Sequence, residues 1–263
     1  MTVQRPLPTA RPGRLHGLPP GLMAARPLPL ANATLAARDE ITAALAVFVI
    51  SLDDPLADFN PGQSVSVGVR ARDELVQRPY SIVSLDRTRT RVELFIRRLP
   101  AGARVRVGPP RGLFTVDRLD DRPRLMVGTG TGLAPLLAML DDAAARRDAT
   151  PNVLIHGVSF WAELAYGERI AEWAANGVPI DYRPTVSRPH ERRNEPWTGL
   201  TGRAEAQLAQ ALEETPVVRE ATAYLCGNPE MIDACRATLL AAGLASAQVR
   251  VEQFHAPVVT RPA

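Results

Sequence analysis

The sequence predicts two domains, an N-terminal antiparallel β-barrel and a C-terminal α/β domain with a parallel sheet. The N-terminal part contains several short segments that alternate polar and apolar residues, such as residues 64–69 and 91–96, with no helical periodicity between them. Beyond a polar link at residues 119–123, apolar strands alternate with helical stretches. That alternation is typical of a parallel sheet whose ligand lies at the carboxyl ends of its strands.

We predict a tail over residues 1–30, a barrel over residues 31–118, a link over residues 119–123 and an α/β domain over residues 124–263. The tail holds seven prolines and no acidic residue, which favours disorder, with a basic docking arm as the alternative. Residues 41–52 and 104–107 complete the barrel strands. The α/β domain is predicted to contain strands at residues 125–127, 153–156, 180–186, 223–226 and 249–254 and helices at residues 136–147, 162–175, 203–213 and 230–242.

Composition excludes several classes of function. The net charge of +3 is too small to indicate nucleic-acid binding. Only Cys226 and Cys235 occur, so neither a disulfide framework nor a four-cysteine iron–sulfur site fits within the sequence. The longest apolar stretch, residues 43–50, is too short to span a bilayer. We therefore expect a cytoplasmic monomer without a metal site that binds neither membrane nor nucleic acid.

A glycine turn follows the first strand of the α/β domain. Residues 128–135 read Gly-Thr-Gly-Thr-Gly-Leu-Ala-Pro, and glycines at alternate positions let backbone N–H groups close on an anion. Leu133 stands where the Gly-x-Gly-x-x-Gly fingerprint has its third glycine, so a plain tight turn is the alternative. The place of the turn at a strand end favours a pyrophosphate cradle made of Gly128, Thr129, Gly130, Thr131 and Gly132.

A second motif, Arg78-Pro79-Tyr80-Ser81, lies on a predicted barrel strand. Alternation places Arg78 and Tyr80 on one side of that strand. There an aromatic ring can cover a planar cofactor, a cation can meet its phosphates and a hydroxyl can bond a ring nitrogen. Taken alone, an ordinary strand with one amphipathic tyrosine is the preferred interpretation.

Two further motifs are Cys-Gly-Asn-Pro at residues 226–229 and Val-Glu-Gln-Phe at residues 251–254. With the other two, in this order and spacing, they make the sequence resemble the bacterial branch of the ferredoxin–NADP reductase family over residues 31–255. The resemblance implies a flavin-binding barrel joined to a nicotinamide-nucleotide domain. It implies FAD and NADPH as cofactors.

The resemblance also implies roles for single residues. In the barrel motif, Arg78 would neutralise a flavin phosphate, Tyr80 with Pro79 would pack against the flavin, and Ser81 would hydrogen-bond near N5. Phe254 would lie against the flavin, with His255 following it.

On the nucleotide side, Cys226 and Gly227 would lie beside the nicotinamide ring and Glu252 would assist proton handling. The alternative for Cys226 is a small buried residue at a strand end.

A 2′-phosphate requires arginines and hydroxyls, whereas a free ribose diol requires a carboxylate. Ser187, Arg188 and Arg203 match positions where NADP-specific members bind that phosphate, and Arg192 and Arg193 add to the basic patch. Two solvated arginines in an arginine-rich chain are the alternative, and we favour NADPH over NADH.

One segment departs from the family pattern. Only residues 99–103 join two barrel strands, where relatives usually have a short helix whose N–H groups meet the flavin pyrophosphate. FMN, a loosely held flavin, or contacts from Arg97, Arg98 or the tail therefore stay open beside FAD.

The predicted reaction moves electrons between NADPH and a one-electron carrier, ferredoxin or flavodoxin, because a flavin links two-electron and one-electron chemistry. The complex with an acidic carrier should be transient and should weaken with salt. The sequence leaves the acceptor and the direction of flux undetermined. An NAD(P)H:flavin reductase, the reductase component of an oxygenase, and a flavin-deficient regulatory or electron-transfer subunit are the alternatives.

Overall fold

The computed structural model describes residues 31–71, 74–96, 104–215 and 219–254. The predicted tail, the short connection at residues 97–103 and His255 lie outside these residues. The described part forms a closed six-stranded barrel and a separate six-stranded sheet, so the predicted fold class is confirmed. No helix in these four ranges combines the length and apolarity needed to cross a bilayer.

All strand pairs of the barrel are antiparallel, and the barrel closes in the order β1-β2-β5-β4-β3-β6. Its strands are β1 Ala33–Thr42, β2 Leu45–Leu52, β3 Ser64–Ala71, β4 Glu74–Leu85, β5 Arg91–Ile96 and β6 Arg104–Val107. The predicted single strand at residues 41–52 was wrong, because a tight turn at residues 43–44 divides it into the end of β1 and the whole of β2. The run is apolar throughout because Ile41 and Leu45 pack against the second domain.

The second sheet is wholly parallel, in the order β10-β9-β8-β7-β11-β12. Its strands are β7 Arg124–Thr129, β8 Asn152–Val158, β9 Ile180–Val186, β10 Leu200–Thr201, β11 Thr222–Gly227 and β12 Val249–Gln253. The helices are α1 Leu133–Arg146, α2 Gly167–Ala175, α3 Ala204–Glu214 and α4 Pro229–Ala241. Parallel strands bring the glycine turn, residues 186–188 and residues 226–229 to one edge, as predicted.

The helix predicted at residues 162–175 was wrong over its first third. Trp161–Glu163 form one 3₁₀ turn, and α2 begins only at Gly167. Tyr166 precedes it in the left-handed region at φ 67°, a conformation that an L side chain adopts at a cost. The Glu163 carboxylate accepts from the N–H groups of Ser159 and Phe160, which closes the turn before a helix can form.

The two domains share one apolar cluster. Side chains of the barrel and of the segment that follows it meet α1, β7, β8 and β11 in a continuous buried core. The barrel contributes Leu45, Val83 and Phe95, the following segment contributes Phe114, and the second domain contributes Met126, Leu133, Leu136, Leu137, Met139, Leu140, Leu154 and Tyr224. Burial of this size stabilises the domain contact as strongly as a core within one domain.

A polar group at the same interface, here called the Glu93 cluster, joins β5 to α1 and α2. The Tyr166 hydroxyl donates to Glu93 Oε1 at 2.7 Å, and the Ser84 hydroxyl donates to Oε2 at 3.1 Å. Arg169 lies 3.3 Å from Glu93 and 2.9 Å from Asp141. Burial, reinforced by the Glu93 charge, raises the pKa of Tyr166 well above its ordinary value, so the phenol remains a donor.

Tyr166→Phe removes one hydrogen bond from this cluster, and we expect it to lower the free energy of unfolding by about 1–2 kcal/mol. Urea unfolding followed by circular dichroism measures the change. Glu40→Gln is the matched control, since it breaks an exposed ion pair with Arg38 that is worth at most about 0.5 kcal/mol. Equal effects of the two substitutions would show that the cluster does not stabilise the domain contact.

The predicted polar link is fixed in place. Asp120 accepts from Arg122 at 2.7 Å and from the Thr222 hydroxyl at 2.5 Å. The hydrogen bond from Arg122, above all, holds the pKa of Asp120 well below its usual range. The link therefore attaches the barrel to the start of β11.

Candidate active site

The glycine turn has the predicted strand–turn–helix geometry. β7 ends at Thr129, a 3₁₀ turn covers Gly130–Gly132, and α1 starts at Leu133 with Pro135 in its first turn. Gly130 has φ 53°, a conformation that favours glycine. The Leu133 N–H bonds the Gly130 carbonyl, so the remaining N–H groups of the turn point away from the helix.

This turn packs backbone to backbone on the Cys-Gly-Asn-Pro segment. A Cβ on Gly132 would lie 2.2 Å from the Cys226 carbonyl oxygen, and one on Gly227, at φ 130°, would lie 2.3 Å from Thr129 Oγ1. Thr129 Oγ1 also accepts the Asn228 N–H at 3.0 Å. The N-termini of α1 and α4 thus meet at one place, where their dipoles favour an anion. The cradle fits the pyrophosphate of a dinucleotide.

Ser81, Glu252 and Cys226 form a hydrogen-bonded group between the two domains. Glu252 Oε2 accepts from Ser81 Oγ at 3.2 Å and from Cys226 Sγ at 3.7 Å. Ser81 and Cys226 are buried, and Glu252 is half-buried. Burial raises the pKa of Glu252, against the two hydrogen bonds, which lower it.

The Cys226 thiol is a neutral lining group. Burial, with the Glu252 charge beside it, raises the pKa of Cys226 well above its ordinary value. A protonated thiol is a poor nucleophile. Cys226 can therefore contact a bound ring but is unsuited to covalent chemistry.

The barrel motif occupies residues 78–81 of β4. Arg78 and Pro79 are exposed, whereas Tyr80 is half-buried against the barrel core. Ser81, the next residue, faces Glu252 instead. A free cation, an amphipathic ring and a hydroxyl along one strand fit the phosphate, the plane and the polar edge of a flavin.

Phe254 lies beside this site. It packs against the shared core, and its N–H bonds the Gly227 carbonyl at 3.0 Å. That bond holds the aromatic ring next to both the cysteine segment and the barrel motif. The structure therefore brings together the predicted flavin and nicotinamide residues.

The residues predicted to bind the 2′-phosphate surround an open pocket of about 460 Å³ that is lined by residues 187–192. Arg188 lies 3.8 Å from Glu191 and has a side chain 56% exposed. Arg203, 66% exposed, precedes α3 and lies 3.5 Å from Glu205. The Ser187 hydroxyl donates to the Val158 carbonyl at 3.2 Å. The two arginines make only weak ion pairs and can turn to a phosphate.

Sequence reasoning missed two residues of this pocket. Asn194, buried, donates to the carbonyls of Ser159 and Arg188 and accepts the Trp161 N–H. Phe160 lies beneath Arg193, whose guanidinium carbon is 3.8 Å from the ring centroid. A lone Asn and a lone Phe carry no motif, so no pattern in the sequence indicated them. No group of three metal-ligating side chains was found among the described residues.

Comparison with known proteins gives two domain matches. Residues 32–114 match the family described as "Oxidoreductase FAD-binding domain", and residues 126–237 match "Oxidoreductase NAD-binding domain". The ferredoxin–NADP reductase B of Sorangium cellulosum is 30% identical over 213 residues, which cover 73% of this chain and 85% of the relative. The chain belongs to the ferredoxin–NADP reductase family. It is a flavin-dependent oxidoreductase, and the predicted FAD and nicotinamide nucleotide are confirmed as its cofactor classes.

Two other similarities define the range of the family. The anthranilate 1,2-dioxygenase electron transfer component of Acinetobacter baylyi is 28% identical over 211 residues, 75% of this chain and 58% of that protein. The chain thus spans little more than half of that relative. The solved ferredoxin NADP⁺ reductase of Neisseria gonorrhoeae, with bound FAD and NADP, has the same fold, with a TM-score of 0.68 at 24% identity over 85% of this chain and 97% of its own.

Proposed function

We propose that this reductase carries electrons from NADPH, through FAD held by the barrel, to a separate one-electron carrier such as ferredoxin or flavodoxin. The observation that carries the proposal is the meeting of Ser81, Glu252 and Cys226 where the two domains join. Bound flavin supplies the step between hydride transfer and single-electron transfer. Only two cysteines occur in the sequence and both are buried, so an iron–sulfur acceptor must be a different protein.

The residues of the chain have distinct tasks in this proposal. Ser81 and Glu252 hold a proton at the edge where hydride arrives, because a carboxyl with a raised pKa exchanges protons near neutral pH. The Cys226 thiol and the Phe254 ring exclude water from that edge. The glycine turn fixes the nucleotide through its pyrophosphate.

The test is a visible spectrum of the purified protein, identification of the released flavin, and turnover with NADPH and three acceptors. A yellow protein that contains FAD and reduces ferredoxin or flavodoxin much faster than free flavin supports the proposal. Preferential reduction of free flavin would instead make it an NAD(P)H:flavin reductase. A colourless protein that cannot be reconstituted with FAD or FMN would contradict both enzymes and favour a regulatory subunit.

A second candidate is the reductase component of an oxygenase. Similarity to the Acinetobacter baylyi dioxygenase component favours it. The two candidates differ in the acceptor and share the site. Coupled turnover of an oxygenase from the same genome, compared with its ferredoxins, separates them.

The preference for NADPH predicts a selective loss on removing both pocket arginines. Arg188→Ala with Arg203→Ala should raise the KM for NADPH roughly tenfold to a hundredfold, since each charged hydrogen bond contributes about 1.5–3 kcal/mol. The KM for NADH should stay within about twofold. Arg147→Ala, at the C-terminal end of α1, is the control and should change neither constant. Equal losses for both nucleotides would refute the preference.

A further inference from the structure

One buried polar side chain of the α/β domain has no task in the site described above. His156 lies on β8, in register with Gly128 of β7 and Pro184 of β9. Its side chain is 0% exposed. Leu154, two residues earlier and therefore on the same face of the strand, belongs to the core under α1. The imidazole thus lies beneath the glycine turn.

The imidazole has one hydrogen-bonded nitrogen and one that is not. Nδ1 lies 3.3 Å from the Tyr182 hydroxyl, whereas Nε2 is buried without a hydrogen-bond partner among the described residues. Burial lowers the pKa of His156 to about 4, against a backbone interaction with Gly130, which raises it. The ring is therefore neutral at physiological pH and offers one donor and one acceptor.

The neighbours decide which nitrogen carries the proton. Burial raises the pKa of Tyr182, so its phenol keeps its proton and can donate to Nδ1. Nε2 then carries the ring proton and needs an acceptor. The Gly130 carbonyl accepts only the Leu133 N–H within the turn, and a carbonyl oxygen has a second lone pair.

The peptide plane converts that contact into an effect on the cradle. The carbonyl of Gly130 and the N–H of Thr131 belong to one planar trans peptide unit and point in opposite directions. A donor below the turn that draws the Gly130 carbonyl inward therefore turns the Thr131 N–H outward. Outward is the open side, where the N-termini of α1 and α4 meet.

We infer that His156 is a positioning residue for the pyrophosphate cradle: its Nε2–H holds the Gly130 carbonyl inward and so aims the Thr131 N–H at the pyrophosphate. The inference rests on the proposed function, because it requires that this turn binds a nicotinamide nucleotide. It adds a buried His156–Tyr182 pair to a cradle that otherwise consists of backbone alone. Tyr182 fixes the tautomer.

Binding of NADP⁺ and of adenosine 2′-monophosphate, measured by calorimetry without turnover, tests the inference. His156→Leu should weaken NADP⁺ binding roughly tenfold, the effect of one misplaced buried hydrogen bond. Adenosine 2′-monophosphate lacks the pyrophosphate and reaches only the arginine pocket, so its Kd should not change. His156→Gln, whose amide can reach the Nε2 position, should restore most of the NADP⁺ affinity.

Unchanged NADP⁺ binding in His156→Leu, or equal losses for the two ligands, would overturn the inference. If His156→Leu does not fold, His156→Gln and His156→Asn take its place, because asparagine reaches only the Nδ1 position. Gln should then bind NADP⁺ more tightly than Asn, and equal affinities would refute the role of Nε2. A wild-type protein that binds neither ligand would refute the proposed function itself.

Discussion

Gly132→Ala is expected to cost about 3 kcal/mol of unfolding free energy, at the upper end for overpacking, and to abolish measurable NADP⁺ binding. The backbone itself accepts alanine, because Gly132 has φ −62° and ψ −11°. The obstacle is the new methyl group, which would lie 2.2 Å from the Cys226 carbonyl oxygen and 2.6 Å from its carbonyl carbon. Both atoms are main chain of β11, so α1 must move away from the sheet and take the cradle with it.

Gly177→Ala is the matched control for this substitution. Gly177 has φ 94° and open space around its α-carbon, so alanine there should cost only about 1–2 kcal/mol of backbone strain. NADP⁺ binding should stay unchanged. Chemical denaturation and calorimetry measure both quantities. Wild-type NADP⁺ affinity in Gly132→Ala would show that the close contact with Cys226 does not shape the cradle.

Glu252→Gln should slow electron transfer from NADPH at least about a hundredfold, the usual loss when a proton-transferring group is removed, and should also stabilise the protein at neutral pH. The two effects have one cause. Burial raises the pKa of Glu252, so the folded protein holds the carboxylate charge at a cost. Glutamine keeps an oxygen for the Ser81 hydroxyl but carries no charge and no exchangeable carboxyl proton.

The sign of the pH dependence follows from the raised pKa. Below about pH 4, the ordinary value for glutamate, the carboxyl is protonated in both states and the substitution should change stability little. As pH rises through the higher pKa of the folded protein, the wild type loses stability relative to Glu252→Gln. Thermal unfolding at several pH values measures the difference. Glu172→Gln on the exposed face of α2 is the control, and a destabilised Glu252→Gln at pH 8 would contradict the assignment.

The sequence predicted the elements that local pattern controls. β6 and β9 have the predicted bounds, because alternation and β-branched residues mark them without help from distant parts of the chain. The start of α2 could not be predicted in this way. It depends on Tyr166, which adopts φ 67° while its hydroxyl is held by Glu93, a barrel residue 73 positions earlier.

The candidate site shows the same division. Ser81 and Glu252 are 171 residues apart, and only the ordered motifs of the family, not spacing, indicated that they meet. His156 and Asn194 were not predicted. In the sequence a buried polar residue resembles an exposed one, and its task becomes visible only when the carbonyls around it are known.

The apolar cluster shared by barrel and sheet has a consequence for protein engineering. A half taken alone would present a large hydrophobic face to water, so neither is expected to be a usable cassette. Recombining the nucleotide half with the flavin half of a relative should succeed only when the donor also brings the surface that faced Val83, Phe95 and Phe114. The crossover point for such a chimera therefore follows the buried seam, which the polar link between residues 119 and 123 does not mark.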